Sequence, residues 1–324
     1  MTPLPRYLLP DNASVESDDS LSIAGVRVAG LAEKYGTPLF VYDEDHIRAR
    51  CREAAIAMGD GGAVYAAKAF LCRAMARLVH EEGMGLDVAT GGELHVALSA
   101  GVPAERLVLH GNNKSPAELR MALEAGVGRI VIDSFDEITR IEQLVSEGLP
   151  MPRVLLRITP GVEAHTHEFI STGQDDSKFG FTVATGAAAR AARHAMGSPA
   201  MEVMGFHSHI GSLVFRVASF AEALRVIADF SKPYALPELS MGGGLGVPYV
   251  EGESAPTVAE WCRTLKDEAA FLGIGAHISV EPGRSIVAAA AVTVYRIGTI
   301  KAIPGVRTYV AVDGGMSDNP RPVL

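Results

Sequence analysis

Residues 107–132 read LVLHGNNKSPAELRMALEAGVGRIVI, and the fold prediction rests on this stretch. Its two short apolar runs, Leu107–His110 and Arg129–Ile132, are typical of buried strands. Between them, Ser115-Pro116-Ala117-Glu118 predicts a helix start, because Ser can cap, Pro suits the first helical position and Glu completes a capping box. Gly126 predicts the helix end. A strand, a helix and another strand in this order indicate a parallel βαβ unit.

The same arrangement recurs along most of the chain. The next unit repeats the helix signals, with Ser134 at the start, Glu137 three residues later and Gly148 at the end. Eight strand-like runs alternate with helical stretches: Val64–Ala67, Gly85–Val88, Leu107–His110, Arg129–Ile132, Val154–Ile158, Val203–His209, Leu239–Met241 and His277–Val280. Eight strands separated by helices predict an α/β fold, a (β/α)₈ TIM barrel.

The segments that flank the barrel predict a second, β-rich domain. Pro38–Tyr42 is typical of a strand that leads into a helix at 44–58, while Ala291–Ile303 and Thr308–Val312 alternate without a following helix. Two strands are rarely stable alone, so we expect this domain to be largely missing at the C-terminus and the chain to be truncated. The predicted boundaries are 1–43 for an N-terminal segment of the β-domain, 44–290 for the barrel and 291–324 for the start of the C-terminal β-domain.

Composition argues against several classes of protein. Apolar residues make up 48% of the 324 residues, but runs such as Ser285–Tyr295 are far shorter than the ~20 residues that span a bilayer. A net charge of −9 with mixed signs argues against a nucleic-acid surface. Cys51, Cys72 and Cys262 show neither a disulfide framework nor CxxC spacing. We expect a cytoplasmic protein with reduced thiols that binds neither nucleic acid nor membrane.

Polar or glycine residues end all eight runs, and reactive side chains in this fold lie at the C-terminal ends of the strands. Some polarity is expected there without any function, because loops begin at these positions. A complete ring that carries both charge signs is less expected on that basis and predicts an active site. This strand-end ring consists of Lys68, Asp87, His110, Asp133, Arg157, His209, Gly242–Gly244 and Glu281.

Lys68 closes an apolar run and is followed by Ala69 and Phe70. Apolar surroundings disfavour the ammonium form, so the neutral amine becomes available as a nucleophile, as a Schiff-base lysine requires. From this segment alone, a salt-bridged or snorkelling lysine is the commoner case. The rest of the strand-end ring must decide between the two interpretations.

Two glycine-rich turns follow the seventh and eighth runs. In residues 241–246, MGGGLG, successive backbone N–H groups can converge on an anion, and barrels often bind phosphate after these strands. A tight loop explains the glycines equally well, but the position favours phosphate. In Glu281-Pro282-Gly283-Arg284, the carboxylate can keep a pyridine nitrogen protonated and Arg284 can pair with a phosphate or a substrate carboxylate. An exposed ion pair is the alternative.

His207 and His209 raise the question of a metal, because two residues at i and i+2 of a strand share a face. Amidohydrolases have such a pair on the first barrel strand, whereas here it lies on the sixth. Another pair, His165 and His167, lies in a long loop. We therefore expect no metal. We interpret His209 as a flat ring stacked on an aromatic cofactor and Ser212 as a phosphate ligand.

Further motifs accompany these turns, and together they resemble the diaminopimelate decarboxylase family, among the pyridoxal-phosphate enzymes of the alanine racemase and ornithine decarboxylase fold. The resemblance runs from about residue 35 to residue 322. The motifs are YAAKA at 65–69, GGEL at 91–94, HGNNKS at 110–115, HTHEFISTG at 165–173, SKFGF at 177–181, HIGS at 209–212, GGGLG at 242–246, EPGR at 281–284 and DGGM at 313–316.

The resemblance implies a homodimeric enzyme that uses pyridoxal 5′-phosphate to decarboxylate meso-diaminopimelate, an amino-acid substrate, to L-lysine in lysine biosynthesis. Its implied catalytic residues are Lys68, which carries the cofactor as a Schiff base, His209, which stacks on it, and Glu281, on the pyridine nitrogen. Arg284 and Arg321 are implied to bind substrate carboxylates. The implied cofactor-binding residues are Lys68, Asp87, His209, Ser212, Gly243, Gly244, Glu281, Pro282, Gly283 and Arg284, and Lys178 matches a position that pairs across the dimer interface.

The chain departs from the family pattern in two ways. It has Leu213 where the family usually has Gln, and it ends at Leu324, before a substrate-contacting Tyr and a Cys-Glu-Ser-Gly segment. We therefore expect the chain to bind cofactor, and whether it turns over substrate without that part of the site is left open. Two alternatives stay open: decarboxylation of ornithine, arginine or lysine, and a non-catalytic regulator that binds the cofactor.

Overall fold

The computed structural model describes residues 4–162 and 177–319. Two compact units divide the chain, one comprising residues 1–47 and 287–324 and the other residues 48–286. The strands are β1 Ala13–Val15, β2 Leu21–Ile23, β3 Val26–Arg27, β4 Leu39–Tyr42, β5 Val64–Ala66, β6 Gly85–Val88, β7 Leu107–Leu109, β8 Arg129–Ile132, β9 Arg153–Thr159, β10 Phe181–Thr182, β11 Glu202–His207, β12 Glu238–Ser240, β13 His277–Ser279, β14 Ala291–Val294, β15 Ile297–Ile303 and β16 Arg307–Val312. The α-helices are α1 Val28–Tyr35, α2 Glu44–Met58, α3 Arg73–Glu81, α4 Gly91–Ser99, α5 Pro116–Ala125, α6 Phe135–Ser146, α7 Ala187–Gly197, α8 Val217–Ser231, α9 Val258–Phe271 and α10 Arg284–Val287.

Eight parallel strands of the larger unit form a closed barrel. Hydrogen bonds join them in the order β5, β6, β7, β8, β9, β11, β12 and β13. The ring closes where Val64 N–H donates to the Val280 carbonyl at 3.0 Å and Val280 N–H to the Gly62 carbonyl at 2.9 Å. All eight predicted strands are present, two with the predicted ends and the others with ends that differ by at most two residues. The predicted (β/α)₈ barrel is confirmed.

Three small antiparallel sheets belong to the other unit. β1, β2 and β3 form one, β4 pairs with β14, and β15 pairs with β16. Ile23, Val28 and Val41 are buried together and form its hydrophobic cluster. The sheet of β1–β3 was not predicted, because its strands are only two or three residues long and residues 16–20 between the first two are Ser, Asp and Glu.

The two helices with predicted caps differ in how their glutamates are used. Around α5, Ser115 and Glu118 form the predicted capping box and Gly126 ends the helix at a φ of 70°. Ser134 caps α6 as predicted, but Glu137 does not complete a second box. Its carboxylate turns inward to Lys114 Nζ, at 2.7 Å. The spacing alone does not distinguish these outcomes, because both place Glu three residues after Ser.

Two of the composition arguments can be compared with the described residues. None of their helices is both long and apolar enough to cross a bilayer. All three cysteines are free, and Cys51 and Cys262 are buried. Burial raises the pKa of both buried thiols to about 12, so these two groups are poor nucleophiles near neutral pH.

Candidate active site

The strand-end ring comes together at the C-terminal mouth of the barrel. Its acidic and basic side chains alternate: Lys68 Nζ lies 3.6 Å from Asp87, His110 Nε2 lies 3.2 Å from Glu281, and Arg157 lies 3.5 Å from Asp133. These groups come from strands that are distant in sequence, and the parallel barrel brings their carboxyl ends to one rim. All of them except Lys68 are buried.

Lys68 has a different setting from the one expected. Residues 64–67 are buried, but a 3₁₀ turn over Ala67–Ala69 follows the strand, and the lysine side chain is 61% exposed. Its charged neighbour is the buried carboxylate of Asp87. The expectation of apolar surroundings is therefore wrong, and the amine reaches the open mouth of the barrel beside a carboxylate.

Polar side chains from three other strands surround Glu281. His207 Nε2 lies 3.1 Å from Glu281 Oε2, and Ser240 Oγ donates to Oε1 at 3.0 Å. His110 Nε2 lies 3.2 Å from the same Oε1. Burial favours the neutral acid, but the charges and hydrogen bonds of His110 and His207 outweigh it and hold the pKa of Glu281 well below its usual range. The side chain is therefore a carboxylate at neutral pH.

His207 and His209 do not act as a pair. β11 ends at His207, so the alternation of a strand no longer relates the two rings. His207 faces Glu281, whereas His209 Nδ1 accepts a hydrogen bond from Gly243 N–H at 3.2 Å. Burial, followed by the positive charges of Lys68 and Arg157, lowers the pKa of His209 well below its ordinary value. His209 is thus a neutral ring with its Nδ1 fixed by the glycine turn.

The glycine turn packs too closely against its neighbours to admit a side chain. A Cβ on Gly243 would lie 2.0 Å from the Glu281 carbonyl oxygen, and one on Gly244 would lie 1.9 Å from that of Gly211. The turn also pairs with the segment after β11, since Val214 N–H donates to the Gly244 carbonyl at 2.9 Å. Leu213, where the family usually has Gln, takes a φ of 58° in that segment. Only glycine fits at 243 and 244 without displacing backbone.

The next turn, Glu281–Arg284, continues the same rim. A Cβ on Gly283 would lie 2.9 Å from that of Ala66, next to the Lys68 segment. Pro282 is buried, and Arg284 donates to the Tyr249 hydroxyl at 2.7 Å. The simple alternative, an ion pair between Glu281 and Arg284, is not what the structure has, because Glu281 is buried against the histidines and Arg284 faces Tyr249.

Within the strand-end ring, Asp133 and Arg157 form a second buried group. Asp133 accepts a hydrogen bond from Gly180 N–H at 2.6 Å, which ties the SKFGF motif to β8. The Arg157 guanidinium lies 4.3 Å from the centre of the Phe179 ring. Burial lowers the pKa of Arg157, against the attraction of Asp133, Glu281 and Asp87. Arg157 therefore supplies positive charge close to the carboxylates of the site.

Several predicted residues cannot be placed with these. Arg321, His165 and His167 lie outside the described residues. Ser212 is partly exposed in the segment after β11. The sequence prediction also missed the role of Ser240 and of the Lys114–Glu137 ion pair. For Ser240 the only available signal was a polar residue inside the apolar run Leu239–Met241.

These features fit pyridoxal phosphate. Asp87 Oδ2 is buried and has no hydrogen-bond partner among the described residues, so it can take a donor from a ligand. In the glycine turn Gly243 N–H is bonded to His209, which leaves the Gly244 N–H for a phosphate, and a neutral flat imidazole suits an aromatic ring. Lys68 supplies an exposed primary amine at the same mouth.

Comparisons with known proteins agree with this geometry. Residues 44–288 match the family described as pyridoxal-dependent decarboxylase, pyridoxal binding domain. The diaminopimelate decarboxylase of Mycobacterium tuberculosis is 46% identical over 97% of this chain and 75% of its own length, and that of Bacillus subtilis is 47% identical over 94% and 73%. The solved diaminopimelate decarboxylase of M. jannaschii, in co-complex with L-lysine, is 33% identical with a TM-score of 0.89, covering 96% of this chain and 75% of that one.

The fold and the site define a pyridoxal-phosphate enzyme built on a (β/α)₈ barrel. The chain belongs to the pyridoxal-dependent decarboxylases and, among them, to the diaminopimelate decarboxylase family. Pyridoxal phosphate is accordingly its cofactor, and its reaction class is that of a carboxy-lyase.

Proposed function

We propose that this chain decarboxylates meso-diaminopimelate to L-lysine. The observation that carries the proposal is the meeting of Lys68, His209 and Glu281 at one mouth of a barrel whose relatives bear the name diaminopimelate decarboxylase. The L-lysine in the M. jannaschii structure is consistent with that product. The lysine and ornithine decarboxylases among the structural neighbours are 23–24% identical and support the fold alone.

Each residue of the site has a proposed task. Lys68 would hold the cofactor through its exposed amine, the position that the substrate amine would take in its turn. Asp87, 3.6 Å from Lys68 Nζ, orients that amine. Glu281 keeps the pyridine nitrogen protonated, and His209 supports the ring face. When bound, pyridoxal phosphate accepts the electron pair that carbon dioxide leaves behind, and a proton then replaces the carboxylate on Cα.

The remaining predicted residues hold the ends of the cofactor and the substrate. Gly244 offers its backbone N–H to the phosphate, Gly243 holds the His209 ring beside it, and Ser212, Pro282 and Gly283 shape the adjoining segments. Arg284 and Arg321 bind substrate carboxylates. Arg284 can leave the Tyr249 hydroxyl, because that contact is exposed.

The protein works as a homodimer in the cytoplasm in this proposal, with Lys178 at the subunit interface. Lys178 is exposed and lies 5.2 Å from the Phe179 ring centre, so it is free to face a partner of opposite charge. Sedimentation at several protein concentrations measures the oligomeric state. A monomer at every concentration contradicts the proposed homodimer. The domain boundaries at 43 and 290 likewise stay predictions.

Absorption spectra and a product assay test the function. The protein mixed with pyridoxal phosphate should show a band near ~420 nm, sensitive to borohydride, that Lys68→Ala abolishes. Lys232→Ala, at an exposed lysine paired with Asp229, should keep the band. A colourless wild-type protein contradicts the proposed role of Lys68.

Release of carbon dioxide is then compared among meso-diaminopimelate, ornithine, arginine and lysine. We expect turnover of meso-diaminopimelate alone. Turnover of ornithine without meso-diaminopimelate overturns the substrate assignment. Cofactor binding without turnover of any of the four indicates the non-catalytic regulator instead.

A further inference from the structure

We propose that His110 and His207 are positioning residues that hold Glu281 as an oriented carboxylate, and thereby determine whether the pyridine nitrogen of the cofactor is protonated. The inference rests on the proposed function, because it assigns a task to residues behind the group that faces the cofactor. Neither histidine was assigned a role toward Glu281 from the sequence. His110 was only a member of the strand-end ring, and His207 was considered as a metal ligand.

The contacts account for both carboxylate oxygens. Oε2 of Glu281 faces His207 Nε2 at 3.1 Å, and Oε1 faces Ser240 Oγ at 3.0 Å and His110 Nε2 at 3.2 Å. The two imidazole rings meet edge to face, with centroids 4.8 Å apart, so each limits the rotation of the other. The exposed fractions are 7% for His110, 1% for His207 and 5% for Glu281. A carboxylate held at this many points has one orientation.

The histidines also compensate for burial. A carboxyl group out of water is more stable as the neutral acid unless donors and positive charge surround it. Burial lowers the pKa of His207 and the attraction of Glu281 opposes that shift, while His207 Nε2 faces Glu281 Oε2 at hydrogen-bond distance. Arg157 and Lys68 contribute positive charge nearby, while Asp87, whose Oδ1 lies 3.8 Å from His110 Nε2, contributes negative charge. Removing His207 removes the contact at Oε2, and removing His110 removes an imidazole 3.2 Å from Oε1.

The consequence concerns the cofactor. A protonated pyridine nitrogen is what makes the ring a good electron sink, and it needs an ionised acceptor beside it. A neutral Glu281 would compete for the same position as a donor. The histidine pair therefore controls the electronic state of the cofactor without touching it.

Carboxyl titration in the cofactor-free protein provides the first test. Protein labelled with ¹³C at the glutamate carboxyl is titrated by NMR, and Glu281→Gln identifies the resonance. In His207→Leu and His110→Leu we expect the pH midpoint of the Glu281 titration to rise by at least about one unit. In His207→Gln, whose amide can donate, we expect a midpoint between those of wild type and His207→Leu. His194→Leu is the matched control, since His194 makes a similar 3.2 Å contact to Glu142 on the surface. Unchanged titration in both leucine variants overturns the proposal.

The second measurement uses pyridoxal phosphate labelled with ¹⁵N in the ring. We expect the protonated-nitrogen shift in wild type and His194→Leu, and a shift toward the unprotonated value in His207→Leu. Wild-type protein that binds no cofactor contradicts the proposed function, while the carboxyl titration still decides the histidine assignment. His110, His207 and Glu281 also bring three possible metal ligands together. Stoichiometric zinc that is lost in His207→Leu overturns the proposal, because a metal-bound Nε2 cannot donate to Glu281.

Discussion

Gly244 shows how one residue constrains the proposed phosphate turn. It has a φ of 113°, and a Cβ there would lie 1.9 Å from the Gly211 carbonyl oxygen. Because that atom is backbone, Gly244→Ala must displace either the turn or the segment after β11. We expect the dissociation constant for pyridoxal phosphate to rise at least about tenfold, equivalent to ~1.4 kcal/mol, measured by absorbance titration.

Gly252→Ala is the control for Gly244→Ala. Gly252 also has a positive φ, of 87°, but a Cβ there meets nothing within 4 Å. It therefore has the same kind of backbone strain without the collision, and we expect its cofactor affinity to match wild type. Equal affinity losses in the two variants would show that strain alone, and not the close approach to Gly211, accounts for the effect.

For single residues, the sequence predicted which side chains lie together at the barrel mouth but not which group each one contacts. Asp87, Glu281 and His209 are where the strand-end rule placed them, because that rule depends only on strand direction. The partner of His207 depended on where β11 ends. Once the strand stops at His207, the i, i+2 alternation no longer applies. His209 accepts a hydrogen bond from Gly243 N–H instead.

Among the elements, α6 is joined to the barrel by the buried ion pair of Lys114 and Glu137. Lys114 Nζ also donates to the carbonyls of Gly111 and Val131, at 2.6 and 2.7 Å, so all its donors are used. Lys114→Met leaves Glu137 buried without its partner. We expect a loss of about 3–5 kcal/mol in the free energy of unfolding near neutral pH, measured by urea denaturation, against less than ~1 kcal/mol for Lys232→Met at an exposed pair.

The pH dependence of that loss has a definite sign. Burial already raises the pKa of Glu137, and the attraction of Lys114 opposes that rise. Without Lys114 the folded-state pKa rises further above the unfolded value, so the folded variant holds a proton that the unfolded chain releases, and stability falls as pH rises between the two values. Lys114→Met should therefore lose less stability at pH 5 than at pH 8. An equal loss at both would mean that Glu137 is not the group left unpaired.

Barrel strands were predictable because each is a short apolar run bounded by turn residues and followed by a polar one. β1–β3 and the two-residue β10 were not, since their residues are held by pairing with neighbours rather than by an apolar pattern of their own. The direction of Glu137 also depended on a distant residue. The Ser-x-x-Glu spacing is compatible with a capping box and also with an ion pair of the glutamate. Only the position of Lys114 in the folded chain decides between them.

For the whole molecule, the division into two units predicts where the cofactor acts. Lys68, Asp87, His209, the glycine turn and Glu281–Arg284 all belong to residues 48–286, whereas β1–β3 and β14–β16 belong to the other unit. A ligand that binds only the native state suppresses the opening of the segments it contacts. We therefore expect pyridoxal phosphate to slow amide hydrogen exchange in the peptides that contain β5, β6 and the turns after β11, β12 and β13.

Exchange in the peptides that contain β1–β3 and β15–β16 should stay the same within error. Mass spectrometry of peptides from the same sample measures both sets. At a cofactor concentration of about 100 times Kd, barrel peptides whose amides exchange through opening of the native state can gain up to ~2.7 kcal/mol of protection. Lys68→Ala is the internal comparison, because the covalent bond is lost while the glycine turn is kept. We expect its residual protection to be confined to the turns after β11 and β12, where the phosphate is proposed to bind. Protection gained mainly in β15–β16 would place the cofactor outside the barrel mouth and contradict the assigned site.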